Sequence, residues 1–250
     1  MTADLGDRPA DLDQAVQALQ TMIDASRRLV FFGGAGVSTE SGIPDFRSQD
    51  GLYSQQYDFP PETILSRTFF EDRPDQFFRF YRDRVLHPEA QPNPAHLKLA
   101  ELERAGRLRA IVTQNIDGLH QAAGSVDVIE LHGSVHRNHC RRCGRSFSLA
   151  QVMEGTAPPR CPCGGTVQPD VVLYEDPLDS GTIAAALDAI RQADCLIIGG
   201  TSLVVYPAAG LVDHFQGRRL AVVNRSGAGG RRADLVVTEP IGQVFARLRA

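Results

Sequence analysis

The sequence predicts an α/β fold: a Rossmann-like, doubly wound parallel sheet with a small lobe made of a zinc-ribbon module and a helical insert. Three observations predict it. Short apolar runs alternate with helical stretches, the pattern of βα units that feed a parallel sheet. The first run, Arg28-Leu-Val-Phe-Phe-Gly33, passes straight into the glycine turn Gly33-Gly34-Ala35-Gly36. Four cysteines, Cys140, Cys143, Cys161 and Cys163, then interrupt the pattern as C-x2-C, 17 residues, C-x-C. Two thiolate pairs on short loops build a tetrahedral sulfur cage, the donor set of a structural zinc ion with no open coordination position.

The elements follow in order. Leu12, Val16, Leu19 and Ile23 share one helical face, so 11–25 reads as a helix. The apolar run to Gly33 reads as a strand buried on both faces. Residues 48–95 are aromatic and proline-punctuated and read as a helical insert closed by Pro92 and Pro94. A helix is expected over 95–105 and strands over Leu108–Thr113 and Val128–Leu131. The cysteine module covers 136–168. Val171–Tyr174 reads as a strand, Thr182–Gln192 as a helix, Cys195–Gly199 as a strand, and Thr201–Gly210 as a polar turn entering a helix. Leu220–Asn224 and Asp234–Val237 are the late strands, joined by a flexible basic loop at 225–232. Domain-wise, 11–47, 96–135 and 169–250 form the nucleotide-binding domain, 48–95 and 136–168 the small lobe, and 1–10 are expected to be disordered.

Composition narrows the class. A chain of 250 residues with 42% hydrophobic content can bury a large core. A net charge of −4 gives no electrostatic argument for nucleic acid or an anionic membrane surface, and neither is expected as a partner. No apolar run reaches the roughly 18 residues of a membrane helix. The polar N-terminus lacks a signal-peptide core, and cage thiols must stay reduced, so a cytoplasmic location is expected. Cys195, inside Cys-Leu-Ile-Ile-Gly, reads as a small buried hydrophobe.

Several segments carry chemistry. Gly34, Ala35 and Gly36 follow a strand and open a helix, where backbone can approach a pyrophosphate and the helix start favours its charge. Thr39 stands where a third glycine would sit, and a tight turn without ligand has the same sequence. Asp45-Phe46-Arg47 sets an acid, a ring and a guanidinium after that loop; a loop tied by a surface ion pair would look alike. Gln114, Asn115 and Asp117 crowd the end of the 108–113 strand, where open α/β sheets bind ligands. His120 falls on the next turn, to cap or to pack. His132 ends another strand, and a histidine there is either a general base near neutral pH or structural. His136 and His139 flank the first cysteine pair, but four thiols already complete a cage. Gly144 and Gly164 each follow a cysteine, as in zinc knuckles.

Together these segments resemble the sirtuin family of NAD-dependent protein-lysine deacylases. The resemblance runs through GAGVSTESGIPDFR (34–47), GLY (51–53), TQNIDGLH (113–120), His132-Gly133, the cysteine quartet, PDVVLYED (169–176), GTSLVVYPA (200–208) and Val223-Asn224. It implies NAD as a consumed co-substrate, one structural zinc on the four cysteines, and acyl-lysine proteins or peptides as substrates. A monomer is expected. On that resemblance NAD is held by Gly34, Ala35, Gly36, Thr39, Asp45, Phe46, Arg47, Gln114, Ile116, Asp117, His132, Gly200, Thr201, Ser202, Asn224 and Ile241. His132 and Asn115 are its catalytic residues, and Val172, Leu173, Tyr174 and Glu175 pair with the substrate backbone. The implied reaction displaces nicotinamide by the acyl oxygen, passes through an alkylimidate, and uses His132 as base on a ribose hydroxyl. It yields nicotinamide, O-acyl-ADP-ribose and lysine.

One pair bears on acyl choice. Tyr81 and Arg84, three apart, share a helical face. Family members that remove succinyl or malonyl groups look similar here, with hydroxyl and guanidinium on the acyl carboxylate. An ordinary amphipathic helix with solvated arginines, Arg79 and Arg82 among them, has the same sequence. Three rivals are weaker. Protein ADP-ribosyl transfer would use the same NAD activation, but its relatives usually depart from the Asn-Ile-Asp or His-Gly text kept here. A zinc-ribbon binding module has only Arg137, Arg141, Arg142 and Arg145 in its favour. A dehydrogenase would usually carry an acid at the second strand end and a hydride-accepting substrate site, and the sequence offers neither.

Overall fold

Leu29–Gly33 (β1) is buried at every position, because both of its faces are covered by helices. Its alternation then decides which core each residue joins. The computed structural model describes residues 11–45, 58–203, 206–227 and 233–250. β1 lies inside a six-stranded sheet with Leu108–Thr113 (β2), Val128–Glu130 (β3), Cys195–Gly199 (β7), Arg219–Val223 (β8) and Leu235–Val237 (β9). The order is β3-β2-β1-β7-β8-β9, and every pairing is parallel.

The sheet is wound in two directions from β1. On one side the chain runs to β2 and β3, on the other to β7, β8 and β9. The β1/β7 boundary is therefore the switch point of a doubly wound sheet, where diverging loops leave a crevice. Leu29, Phe31, Ile111 and Ile197 point to one face, under Leu12–Asp24 (α1), Pro94–Arg104 (α5) and Ile241–Ala246 (α9). Val30, Phe32, Leu196 and Ile198 point to the other, under Ser180–Gln192 (α8) and a 3₁₀ segment, Ala208–His214.

Helix starts are written locally. Asp11 accepts from Gln14 N–H at 2.9 Å to begin α1. Asn93 and His96 form a capping box on α5, with Pro94 at the first turn.

The small lobe has its own core. Gly133–Cys140 (β4) pairs antiparallel with Ser146–Phe147 (β5) and with Val167–Val171 (β6). Against it pack Pro61–Ile64 (α2), Arg67–Asp72 (α3), Pro74–Phe80 (α4) and Leu149–Met153 (α7). Phe70, Phe77, Phe78 and Tyr81 interlock there, with ring centroids 5.0–6.3 Å apart. The short Leu119–Ala122 (α6) links β2 to β3.

Several expected elements differ. The glycine turn opens no α-helix: two 3₁₀ turns, Ala35–Val37 and Thr39–Ser41, follow, and Gly42 at φ 84° with Pro44 beyond it ends them. The strand expected over 171–174 lies earlier, at Val167–Val171, because β4 offers its partners there. Tyr174 keeps one parallel bridge, to Ser66. The helix expected after Thr201 forms only as the 3₁₀ segment. The face shared by Tyr81 and Arg84 is not α-helical, since Tyr81–Val85 is a π-helical turn closed by Leu86 N–H on the Tyr81 carbonyl at 3.0 Å. α9 had no counterpart among the expected elements. Among the described residues no helix is long and apolar enough to cross a membrane. Residues 1–10 lie outside the described residues, as does 228–232 of the basic loop.

His96 and His120 pack in the core with ring centroids 4.8 Å apart and essentially no exposure. His120 thus packs rather than caps, against Phe31. Burial pushes His96 down to about 4 and His120 to about 3. The unfolded chain takes up these protons near pH 6.5 and the folded chain does not, so stability falls as pH drops below that value. Between pH 7 and pH 5 the unfolding free energy should fall by about 2–4 kcal/mol. Denaturant titrations at both values should show it, and His120→Phe should remove about half of the decline.

Candidate active site

The crevice at the β1/β7 switch point opens into a cleft of about 1160 Å³. That exceeds the roughly 300–1,000 Å³ of ordinary small-ligand sites and leaves room for two substrates. It is lined by the glycine turn, the loop after β2, the end of β3, residues 172–176 and the strand ends of β7 and β8.

Its floor is backbone on backbone. Gly36 N–H donates to the Gly200 carbonyl at 2.7 Å, and Gly34 N–H to the Gly199 carbonyl at 3.1 Å. A Cβ on Gly36 would lie 2.8 Å from Gly200 Cα, and one on Gly34 2.7 Å from Thr201 Cβ. Gly200 has φ 58°, and a Cβ there would sit 2.2 Å from Val37 N. Only glycine fits these three positions, and the result is a cradle of bare peptide, the surface a pyrophosphate needs. Thr39, half-buried, donates to the Gly36 carbonyl and closes the turn at 3.1 Å.

The loop after β2 faces that floor. Gln114 donates to Thr201 Oγ1 at 3.3 Å, joining the two strand ends. Asn115 is buried, and its amide donates to Ser38 Oγ at 3.1 Å. Ser38 in turn donates to Asp117 Oδ2 at 2.6 Å. Asp117 Oδ1 accepts from Leu119 N–H at 2.9 Å, and its carbonyl meets His136 Nε2 at 3.0 Å. Ser38 is the residue that sequence reasoning missed. Its signal was a hydroxyl inside the glycine turn, 1% exposed and bonded to both polar side chains of the facing loop.

His132 stands at the end of β3. Its Nδ1 lies 2.9 Å from the Gln114 carbonyl. A carbonyl only accepts, so Nδ1 carries the proton and Nε2 keeps its lone pair. Burial pushes His132 below the usual imidazole range, against the smaller upward pull of that carbonyl. The ring is therefore neutral near pH 7. Gly133 follows at φ 77°, where a Cβ would lie 2.0 Å from the Asp170 carbonyl, so β4 can leave the histidine only through glycine.

The remaining candidates divide. Ala35, Asp45, Ile116, Ser202, Asn224 and Ile241 all line the cleft. Ile241 is carried there by α9, whose Gly242 N–H donates to Glu40 at 2.6 Å. Phe46 and Arg47 lie outside the described residues. Val172, Leu173, Tyr174 and Glu175 line the cleft mouth. Tyr174 already commits its N–H to the Leu65 carbonyl and its carbonyl to Arg67 N–H. Glu175 adopts φ 76° and accepts from Thr68 Oγ1 at 2.7 Å. Tyr81 and Arg84 also border the cleft. Tyr81 is 1% exposed, stacks on Phe77 at 5.4 Å, and its hydroxyl has no hydrogen-bond partner among the described residues. Burial pushes that hydroxyl above the usual phenol range.

The cysteines converge away from the cleft. The Sγ atoms of Cys140, Cys143, Cys161 and Cys163 all lie within 4.8 Å of one another, without His136 or His139. Arg142 N–H donates to Cys140 Sγ at 3.3 Å, and Gly144 and Gly164 turn the chain at φ 72° and 84° with their N–H groups on carbonyls. Burial raises the Cys140 thiol, but the amides of Cys143 and Arg142 pull it down to about 6. Four soft donors at this spacing fit a closed, structural zinc site.

The Sir2 family model matches residues 34–207. The chain belongs to the Sir2 family. Its Sir2-family relatives include NAD-dependent protein deacetylases of Clostridium acetobutylicum, 54% identical over 92% of this chain and 96% of the relative, and of Cutibacterium acnes, 53% identical over 93% and 97%. Among solved structures, a mutant Sir2 homologue in complex with ADP ribose has a TM-score of 0.83 at 35% identity, covering 92% of this chain and 93% of that one. A Sir2 complex with p53 peptide and NAD+ has a TM-score of 0.81 at 35% identity, covering 93% and 96%.

Replacing one cage ligand should strip the metal. Cys143→Ser should reduce zinc from about one ion per chain to near zero and lower the thermal transition. Cys195→Ser, in the sheet core, should leave zinc unchanged. Metal analysis of the two purified variants checks this.

Proposed function

We propose that this cleft removes acetyl groups from protein lysine side chains with consumption of NAD, and that Tyr81 and Arg84 extend the reaction to acyl chains ending in a carboxylate. The observation that carries the reading is His132. Its tautomer is set by the Gln114 carbonyl, it is neutral near pH 7, and it shares a cleft with a glycine cradle that admits a pyrophosphate.

Bound NAD supplies an activated ribose carbon with nicotinamide as its leaving group. The chain supplies the rest. Gly34, Ala35 and Gly36 receive the pyrophosphate, and Thr201, Ser202, Asn224 and Ile241 border the adenosine end. Gln114, Ile116 and Asp117 hold the nicotinamide end, with Asn115 held by Ser38. His132 Nε2 accepts a proton from a ribose hydroxyl as that oxygen turns on the acyl carbon. Residues 172–175 orient the substrate backbone. In this reading 11–47, 96–135 and 169–250 bind NAD, while 48–95 and 136–168 bear the acyl-lysine side and the zinc. The protein acts as a monomer in the cytoplasm, where cage thiols remain reduced.

With NAD and an acetyl-lysine peptide, one nicotinamide should be released for each lysine freed, with no reduction of the nicotinamide ring. A peptide that keeps its acetyl group would refute the assignment. His132→Ala should lower kcat by about 10²–10⁴-fold. In the wild type the acid limb of the rate profile should lie below pH 6.5, because the base stays neutral until pH falls through its lowered pKa.

The acidic-acyl reading rests on the Tyr81 hydroxyl, buried with no partner among the described residues, on the cleft wall in the same turn that bears Arg84. Arg84→Met should slow desuccinylation by about 10–100-fold and deacetylation by less than about twofold, the loss of one charge-assisted contact. Equal losses would return Arg84 to helix surface.

A further inference from the structure

The π-helical turn Tyr81–Val85 sits on the acyl-lysine side of the cleft, yet Arg82 within it is not among the cleft-lining residues and bonds elsewhere. Arg82 donates Nε–H to the Val152 carbonyl at 2.8 Å. It donates from one terminal nitrogen to the Thr156 carbonyl at 3.0 Å and from the other to the Ala157 carbonyl at 2.8 Å. Its guanidinium also lies over the Phe78 ring, 5.4 Å from the centroid. Among the described residues all three donors go to backbone and none to a carboxylate. A surface arginine placed by chance pairs with an acid or with water. One that commits its whole fork to three carbonyls of a single segment is holding that segment.

The segment it holds belongs to the metal module. Val152 lies in α7, whose Leu149 borders the cleft, and Ala157 stands four residues before the zinc ligand Cys161. Val152, Cys140, Cys161, Phe77, Phe78 and Tyr81 share one buried cluster. On the other side, Arg82 adjoins Tyr81 in a turn with i→i+5 bonding, a local geometry that surrounding contacts must enforce.

We propose that Arg82 is a positioning residue for the acyl-lysine substrate: it fastens the π turn to residues 152–157, so the wall formed by Tyr81 takes its place from the zinc module. This rests on the deacylase reading above. It also assigns the remote metal a task in substrate binding: a module that has lost zinc releases the segment before Cys161, and with it the Arg82 anchor. NAD binds across the sheet ends and does not depend on this anchor.

The test compares Arg82→Ala, Arg82→Lys and, as a control, Arg79→Ala, since Arg79 is exposed on the same segment. Zinc content, KM for an acetyl-lysine peptide, KM for NAD and kcat are measured on each. Arg82→Ala should keep about one zinc per chain, raise the peptide KM about tenfold or more, and leave KM for NAD and kcat within about twofold. Arg82→Lys should recover little of this, because one ammonium cannot span three carbonyls. If Arg82→Ala does not fold, Arg82→Lys decides alone. Arg79→Ala should match the wild type. An unchanged peptide KM in both Arg82 variants would overturn the proposal, and so would parallel losses in peptide KM, NAD KM and kcat, which mean general loosening. A wild-type enzyme with no action on the peptide would instead defeat the deacylase reading. In that case direct peptide binding to the same variants still decides the role of Arg82.

Discussion

Three glycines in contact set the conditions for everything else in the cleft. Gly34 and Gly36 lie against Gly200 and Thr201 so closely that no side chain fits between the β1 and β7 strand ends. The parallel sheet explains why this contact falls here. β1 and β7 are neighbours whose chains leave in opposite directions, so their loops diverge everywhere except at the first turn. A peptide floor with free approach for a diphosphate results. The usual helix is lost in exchange: two 3₁₀ turns replace it, and the floor offers close approach to bare backbone rather than a helix dipole.

The facing loop is held by side chains instead of by secondary structure. Ser38 connects the glycine turn to Asn115 and Asp117, and Gln114 reaches back to Thr201. The same loop gives its Gln114 carbonyl to His132, so the element that borders one end of the cleft also selects the tautomer of the base. Position and chemistry are thereby coupled through one short segment. The small lobe closes the other wall, and its order comes from the aromatic cluster together with the cysteine cage.

Much of this was legible in the residues. The parallel sheet followed from apolar runs such as Leu29–Phe32, because strands covered on both faces leave no alternation to misread. The zinc cage followed from thiol spacing, which acts through local chain geometry. The departures occurred where tertiary contacts override local pattern. Tyr81 and Arg84 suit an α-helical face, but the turn is π-helical, packed between Phe77 and the module beyond. Val171–Tyr174 is apolar enough for a strand, yet β4 pairs four residues earlier. Ser38 gave no periodic signal at all, since its role depends on Asn115 and Asp117, some 77–79 residues away in sequence. α9 was hidden because six residues carry little helical pattern, and Glu40 supplies the contact that holds its start.

Glycine backbone contact as the maker of the dinucleotide floor is tested most directly by calorimetric titration of NAD into wild-type protein and Gly36→Ala, both with thermal unfolding measured in parallel. The expected result is at least about a tenfold loss of NAD affinity in a variant that still unfolds cooperatively, because the added methyl must displace Gly200 from the floor. NAD affinity unchanged in a folded Gly36→Ala protein would contradict it.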